Sequence, residues 1–590
     1  MPNANVNLNP QHEARLSYSG FDMGQSLDFT SSVGQLLPVY YDILSPGDKV
    51  DCRAIIRTRT APLNTACTMS IKEHVEWFFV PMEQLYSAFG NVYYGIQDFD
   101  SAVFANKRID GLPYGNLYGL LGSDMTSYLT LQDDEGDSMV RGFIRLCEHL
   151  GLPVNAYIAN KFSSSDGSFP VSPLLFCAYQ KIFSDFYRIS NRESNQPQSY
   201  NLDDFIANET RTITVANFLA RFGKLHYRPW KHDFFKGNQI SPSFGDSSVG
   251  AQTVIGDPNS RKNILGQLDQ WLSGLNNVTP SSPGSSSSVV PDGGNVIPDN
   301  VTPSTVRVAG LSGSSNVNLT QLSAVGSVLN PANIRGLFAS EKLLEITRRA
   351  GKHYDAQTLA HWGVKVPQGI DGEVIYLGEQ TASINIGDVI SNADTTGAPL
   401  GEIAGKGYAY GTGDSCKFEA RSHGILMAIY SAEPEAYYYQ DGIDKLATII
   451  DRVEFPIPEY ENLGMQPVFG YQSEFQASPS QDSMVLGWQY RYQEFKQKYD
   501  RVIGAFNYNQ SLKAWVNGYK PQISVIGDYY IRPDALNGLM VYNYDKALHS
   551  SEPWEDWLKY YVYESDPLYH FFFFDVKKSS KMSVYGLATL

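Results

Sequence analysis

Strand-like runs stand near both ends of this 590-residue chain, and that placement narrows what it can fold into. Over residues 69–79 the odd positions read Met, Ile, Glu, Val, Trp, Phe, and the even ones Ser, Lys, His, Glu, Phe. This period-2 alternation, with one flaw, predicts a half-buried strand closed by Pro81. After the Pro46-Gly47-Asp48 turn, residues 51–60 predict another strand. Residues 422–432 (SHGILMAIYSA) are apolar on both faces, as in a strand buried between two layers, and residues 568–576 (LYHFFFFDV) read the same way. Pairing of consecutive strands would leave the first and last of these apart, whereas a Greek-key sandwich brings them together.

Helices interrupt the strands. Ser172-Pro173 is an N-cap followed by proline at the first helical position, and Leu175, Ala178, Tyr179, Ile182, Phe183 and Phe186 then make one apolar face. Asn330-Pro331 opens a second helix through Ile334, Leu337, Phe338, Leu343, Leu344 and Ile346. Arg348 and Arg349 sit in its last turn, where the helix dipole favours cations, and Gly351 ends it. Residues 238–329 differ in composition, being rich in Ser, Gly, Asn and Val and nearly free of Lys and Arg. They read as an exposed surface insertion, with short strands at most. No internal repeat stands out.

The chain carries a net charge of −16, with 13% aromatic residues, among them 38 Tyr and 30 Phe. Tyrosine joins rigid apolar area to a polar tip, which suits β-structure and large contact surfaces. A protein that binds nucleic acid through its own overall charge is basic, so contact with DNA here would need a local basic patch or a separate basic partner. The five cysteines, Cys52, Cys67, Cys147, Cys177 and Cys416, are odd in number, widely spaced and free of any CxxC pair. They read as reduced thiols rather than a disulfide framework or a zinc site. Residues 1–10 carry no secretory signal, and the Phe571–Phe574 run is far too short to span a bilayer, so a non-exported chain with no membrane segment is expected.

The motifs do not converge on a reaction. Gly405-Lys406-Gly407, followed by Gly411 and Gly413, lacks both Walker A spacing and GxGxxG order, and reads as a glycine-rich turn before the strand at 422. His74 stands two residues from Glu76 without an HExxH motif, and the alternation puts it on the polar face as a solvated or hydrogen-bonded side chain. No nucleophile elbow, metal-ligand spacing or calcium loop is present, so no catalytic residue, metal or cofactor is expected. Two basic groups lie beside aromatic rings. Lys577, Lys578 and Lys581 follow the last strand, and Arg348, Arg349 and Lys352 close the second helix. Cations next to stacking rings suit single-stranded nucleic acid, while helix capping and solubility are the alternative reading of both groups.

The segments GQLLP (34–38), YDILSPGD (41–48), RTAPLNTA (59–66) and VEWFFVP (75–81), with others in order after them, together resemble the major capsid proteins of the Microviridae, in particular the gokushovirus-like branch. Residues 34–38 (GQLLP) with 41–48 (YDILSPGD) are similar to the family's "LLPV…PGD" opening. Residues 59–66 (RTAPLNTA) and 75–81 (VEWFFVP) resemble its "PLNTA…FFVP" run, and 178–188 (AYQKIFSDFYR) resembles its "AY..I.NE.FR" helix. Residues 231–235 (KHDFF), the helix over 334–354, 376–379 (YLGE), 433–435 (EPE), Tyr490-Arg491-Tyr492 and Asp566-Pro567 continue in the family's order. The C-terminal KMSVYGLATL departs from the proline-containing family tail and marks a divergent subgroup.

The resemblance implies a mainly β fold: an eight-stranded antiparallel viral jelly roll with long, partly helical loop insertions, as one elaborated domain over 1–590. It implies a homo-oligomer that closes a T=1 icosahedral shell with fivefold, threefold and twofold contacts. A circular single-stranded DNA genome inside and a small basic DNA-packaging protein are also implied. Residues 1–28 are expected to form an extended N-terminal arm. Residues 238–329 are the candidate threefold protrusion and the candidate contact to a host surface receptor. Lys577, Lys578, Lys581, Arg348, Arg349 and Lys352 are the candidate DNA- or interior-facing residues. A jelly-roll lectin or glycan-active enzyme would instead call for a secretion signal or converging acid pairs, and a receptor-binding spike for repeats or a coiled coil; none is visible.

Overall fold

The computed structural model describes residues 17–61, 70–94, 111–116, 139–153, 170–205, 212–242, 290–292, 295–297, 305–307, 316–318, 331–351, 353–365, 372–390, 403–461, 464–513, 515–516, 518–519, 529–531 and 566–584. The chain divides into two compact units. Residues 1–240, 366–463 and 467–590 make the first, and residues 241–365 with 464–466 make the second.

Ten strands of the first unit form one curled antiparallel sheet: β1 (Ser19–Asp22), β2 (Gln25–Ser31), β3 (Leu37–Leu44), β4 (Lys49–Thr60), β5 (Ile71–Pro81), β6 (Ile375–Ile390), β7 (Ile403–Thr412), β8 (Cys416–Glu419), β9 (Gly424–Pro434) and β10 (Leu568–Ser580). Their hydrogen-bonded order is β1-β10-β4-β7-β6-β5-β9-β3, with β2 pairing β10 and β8 pairing β4. The long β6 carries the curl, since its residues 375–384 pair with β5 and its residues 385–390 pair with β7. Two facing layers result, β2-β10-β4-β7 and β3-β9-β5-β6. The chain crosses between them at most connections, and its last strand lies between the second and the fourth. This is the jelly roll, eight strands as expected, with β1 and β8 added to one layer.

The space between the layers is filled by alternate residues. Val50, Cys52, Ala54 and Ile56 of β4, Trp77 of β5, and Phe572, Phe574 and Val576 of β10 are all buried. The Trp77 ring lies 5.4 Å from that of Tyr40 and 6.0 Å from that of Phe574. Its indole N–H donates to Gln380 Oε1 at 2.6 Å, so the polar end of the ring is satisfied. Burial of each large apolar side chain here stabilises by about 1.5–3 kcal/mol.

Three expectations about strands are corrected. β5 is not half-buried: from Glu73 to Val80 it is buried on both faces. The outward Phe78 packs against Phe186 (4.9 Å between ring centres) and Tyr187 (6.0 Å), supplied by an insertion. β10 shows the reverse. Its even positions are buried, but Tyr569, Phe571 and Phe573 face outward, so the Phe-rich run is a one-sided strand rather than a doubly covered one. The glycine-rich 405–411 segment is strand β7, not a turn. A Cβ at Gly407 would fall 2.4 Å from Thr60 Cγ2, and one at Gly411 would fall 2.6 Å from Ala382 Cβ, so these glycines permit close packing inside the sheet. Of the run at 422–432, residues 424–432 are buried throughout in β9, as expected.

Helices α1 (Met139–His149), α2 (Leu174–Ile182) and α3 (Val215–Phe222) also belong to the first unit. They meet through Phe143, Phe176 and Phe218, whose ring centres are 5.3–6.1 Å apart. α2 starts one residue later than the Ser172-Pro173 signal suggests, with Leu174 N–H donating to Ser172 Oγ at 3.4 Å. It runs into a π-turn, Phe183–Tyr187, which shifts the helical phase. Tyr187 is therefore buried, while Phe186, assigned to the apolar face, stands 44% exposed.

The second unit contains α4 (Pro331–Ala350), ending at Gly351 with φ +84°, and α5 (Tyr354–Trp362). Thr347 Oγ1 lies 3.1 Å from His361 Nε2, and Gln357 donates to the Thr347 carbonyl at 2.8 Å, which holds the two helices together. Two short hairpins pair Val290–Asp292 with Asn295–Ile297, and Thr305–Arg307 with Asn316–Asn318. The rest of the 238–329 insertion beyond residue 242 lies outside the described residues, as do residues 1–16 of the expected arm. Residues 17–28 of that arm include β1 and the start of β2, both paired to β10. Among the described residues no helix is long and apolar enough to cross a membrane.

Candidate functional site: a sealed polar core and an open sheet face

Among the described residues, three groups of buried polar side chains line the two faces of the jelly roll's strands. In the first, Arg145 of α1 points its guanidinium at both carboxylate oxygens of Asp566, immediately before β10. Arg145 also donates to Gln35 Oε1 at 3.0 Å, and Thr30 Oγ1 donates to Asp566 at 2.7 Å. The side chains of the ion pair are 2% and 0% exposed. One charge pair thus joins an inserted helix, the end of β2 and the start of β10.

In the second group, His570 lies between the layers. Its Nε2 is 2.7 Å from Ser31 Oγ and its Nδ1 is 2.9 Å from Thr58 Oγ1. The Thr58 and Tyr430 hydroxyls both donate to Glu73 Oε1, at 2.7 and 2.8 Å. Because Thr58 spends its single proton on Glu73, it accepts from His570 Nδ1–H, and in a neutral imidazole Nε2 then accepts from Ser31. Ser31, His570 and Glu73 have the atoms of a hydrolase triad, with His570 Nδ1 3.4 Å from Glu73. All three are sealed in the core, so no substrate reaches the serine.

The third group lies on the outward face of β5. Glu76 receives the Arg228 guanidinium at 2.7 Å and the Tyr187 hydroxyl. Of the two readings of His74, solvated or hydrogen-bonded, its burial against carboxylates favours the second. The ring is buried with Nδ1 3.5 Å from Glu379 and Nε2 3.4 Å from Glu433. His74, Glu76 and Glu379 are spaced closely enough to hold a metal ion, but Arg228 and the imidazole already face these carboxylates. Burial pushes the Glu433 carboxyl up. The His74 contact and the Arg228 charge outweigh it, leaving Glu433 below the usual carboxylate range.

The basic residues picked from sequence fall in several environments. Lys578 is buried, with Nζ 2.9 Å from Asp42, 3.6 Å from Asp48 and 3.0 Å from the Ile43 carbonyl, so its charge is met inside the protein. Lys577 is exposed on β10, directly across from Asp22 on β1 and Asp51 on β4. Lys581 is exposed, with Nζ 5.8 Å from the Tyr18 ring centre. Arg348 is buried in the second unit, which pulls its guanidinium pKa down, and Arg349 pairs with Glu345 one turn earlier. Lys352 lies outside the described residues. Four of the cysteines, Cys52, Cys147, Cys177 and Cys416, are free and buried, as reduced thiols should be, while Cys67 lies outside the described residues.

The outward face of the β10-β4-β7 layer escaped sequence reading. Its exposed residues include Arg57 and Arg59 on β4, Lys406, Tyr408 and Tyr410 on β7, and Tyr569, Phe571 and Phe573 on β10. The signal was present as cations at 53, 57 and 59 of RAIIRTRT and as a cation and two rings at 406, 408 and 410 of GKGYAYGT, each set of one parity once both are taken as strands.

Two outcomes follow from the buried groups. Asp566→Asn strands the Arg145 guanidinium in the core and should lower stability by about 3–5 kcal/mol in urea unfolding. Lys417→Gln, which removes a mostly exposed pair with Asp51 at 3.9 Å, should change it by about 0–1 kcal/mol. The second outcome concerns acid. Burial first, then the Arg145 charge, lowers His149 from 6.5 to about 4, and burial also holds His226 well below its ordinary value. The unfolded chain therefore takes up these protons first. The stability is complete above about 6.5 and is lost as the pH falls toward 4. The unfolding midpoint should drop across that window, and His149→Gln with His226→Gln should flatten the drop. An unchanged slope in the double variant would sink this assignment.

Comparison with known proteins agrees with the fold. The family model described as capsid protein (F protein) matches residues 167–523. The capsid protein VP1 of Chlamydia phage 1 is 24% identical over 560 residues, covering 85% of this chain and 87% of its own length. The capsid protein VP1 of Bdellovibrio phage phiMH2K is 23% identical over 514 residues, 82% of each chain. Both relatives are Microviridae. With more than half of its length matched by that family, this chain belongs to the phage F-type capsid proteins and is a major capsid protein, a structural component of the virion.

Proposed function

We propose that copies of this chain close into a small T=1 icosahedral shell around a circular single-stranded DNA genome, assembled in the cytoplasm of the bacterial host. The observation that carries this reading is a capsid-family chain folded as a jelly roll that still exposes large rings, among them Tyr93, Tyr94, Trp362 and Tyr508. Closed symmetry needs several distinct contacts on one subunit, each burying about 1,200–2,000 Å² around aromatic anchors. Such rings are the anchors that those contacts require.

The role is mechanical and not catalytic, and the sealing of Ser31, His570 and Glu73 supports that reading. A net charge of −16 disfavours packing phosphate against the shell as a whole, so a small basic packaging protein works alongside it. Residues 1–28 act as an arm, and residues 238–329 form the threefold protrusion and the surface offered to a host receptor. Lys577 and Lys581, both exposed, face the interior at the margin of the DNA.

Negative-stain microscopy of the purified full-length protein should show closed particles of uniform size. A stable monomer that never assembles would overturn the shell reading. Deleting residues 275–325 should spare closure and abolish or weaken attachment to host cells. Loss of closure in that variant would make the insertion a structural element instead.

A further inference from the structure

The outward face of the β10-β4-β7 layer divides into two halves of different chemistry. In one half, charges cancel across strands. Arg53 reaches Asp575 at 2.7 Å, Lys49 reaches Glu419 at 3.8 Å, and Lys577 sits between Asp22 and Asp51 in register. In the other half they do not. Tyr408 pairs with Arg59, which pairs in turn with Tyr569. Tyr410 pairs with Arg57, and the register joining His570 to Thr58 and Phe573 to Ile55 sets Phe571 on the other side of Arg57. The Arg57 guanidinium lies 5.9 Å from the Tyr410 ring centre. Arg57, Arg59 and Lys406 make no ion pair among the described residues, and the nearest carboxylate among the side chains described on this face is Asp28, across from Phe571. The rings are 39–55% exposed, so their faces are open to a ligand.

We infer that this half-face binds single-stranded nucleic acid, with bases stacked on Tyr408, Tyr410, Tyr569 and Phe571 and phosphates held by Arg57, Arg59 and Lys406. The inference deepens the packaging reading above and rests on it for the source of the strand. The occupant follows from charge complementarity. In a chain of net charge −16, a patch carrying three cations against one carboxylate calls for a polyanion. The rings call for one with unpaired bases, because a duplex hides its base faces. Neighbouring strands are about 4.8 Å apart and alternate residues about 6.6 Å apart, a spacing that an extended single strand matches. Bound in this way, the genome orients the subunit with this face toward the particle interior.

The test is fluorescence anisotropy of the full-length protein with a labelled oligothymidylate of about twelve nucleotides, across about 50 to 200 mM salt. Arg57→Gln with Arg59→Gln should weaken binding about tenfold or more and reduce the salt slope by about 1.4, the share of two phosphate contacts on a single strand. Tyr408→Leu with Tyr410→Leu should weaken binding about tenfold and leave the slope unchanged. Lys417→Gln, in the self-neutralised half, should bind as the parent does. A duplex of equal length should compete poorly, while oligouridylate should compete well if backbone and stacking suffice. Each variant is also scored for shell closure, so failure of the face and failure of the shell are read separately. Parent-like affinity and slope in the double arginine variant would overturn the inference, as would equal competition by duplex. No oligonucleotide binding by the parent, combined with loss of closure in the arginine variant, would overturn it too and make the face a contact between copies.

Discussion

The ion pair between Arg145 and Asp566 is the constraint on which the rest of the shell domain depends. It brings together a helix inserted after β5, the loop leaving β2 and the residue that launches β10. Two opposite charges removed from water are tolerated only when each is held by further donors and acceptors. Thr30, Ser32 and Gln35 supply those contacts here. Apolar packing on either side could accept small slippages of strand or helix. A buried guanidinium on both oxygens of one carboxylate cannot, so the pair sets the register in which distant parts of the chain meet.

Much of the architecture was legible because it rests on local pattern. The doubly apolar run at 422–432, the Pro331 helix with its glycine stop and the meeting of first and last strands all follow from periodicity and turn chemistry. What misled were properties that belong to neighbours. β5 alternates as a half-buried strand should, yet the insertion carrying Tyr187 and Arg228 covers its outer side. The Phe571–Phe574 run looks fully buried, yet its odd positions stand exposed. Gly407 reads as a turn residue because sequence does not show Thr60 pressed against it. Lysines were even harder to place: Lys577 and Lys578 are adjacent, and strand alternation sends one to solvent and the other to Asp42.

The two outer faces of the sandwich have been put to different uses. One carries α2, its π-turn and a network of glutamates closed by Arg228, and behaves as further interior. The other, uncovered among the described residues, is patterned, charges cancelling over one half and accumulating over the other. An acidic chain can thus carry a cationic surface without changing its overall balance, by confining the excess to a few positions of two adjoining strands. The same confinement means that net charge describes the chain as a whole and not this face.

The position of β10 has a consequence for timing. It is the last strand among the described residues, yet it is an inner strand, with β1 and β2 on one side and β4 on the other. While synthesis is still short of residue 568, those partners face an empty slot and the layer does not exist. The ring-and-guanidinium rows are equally absent, since β10 supplies one column of them. A chain that stops short of residue 568 therefore presents neither a finished wall nor these rows. The layer thus closes only once residues 568–580 are present, however much of the chain before them has already folded.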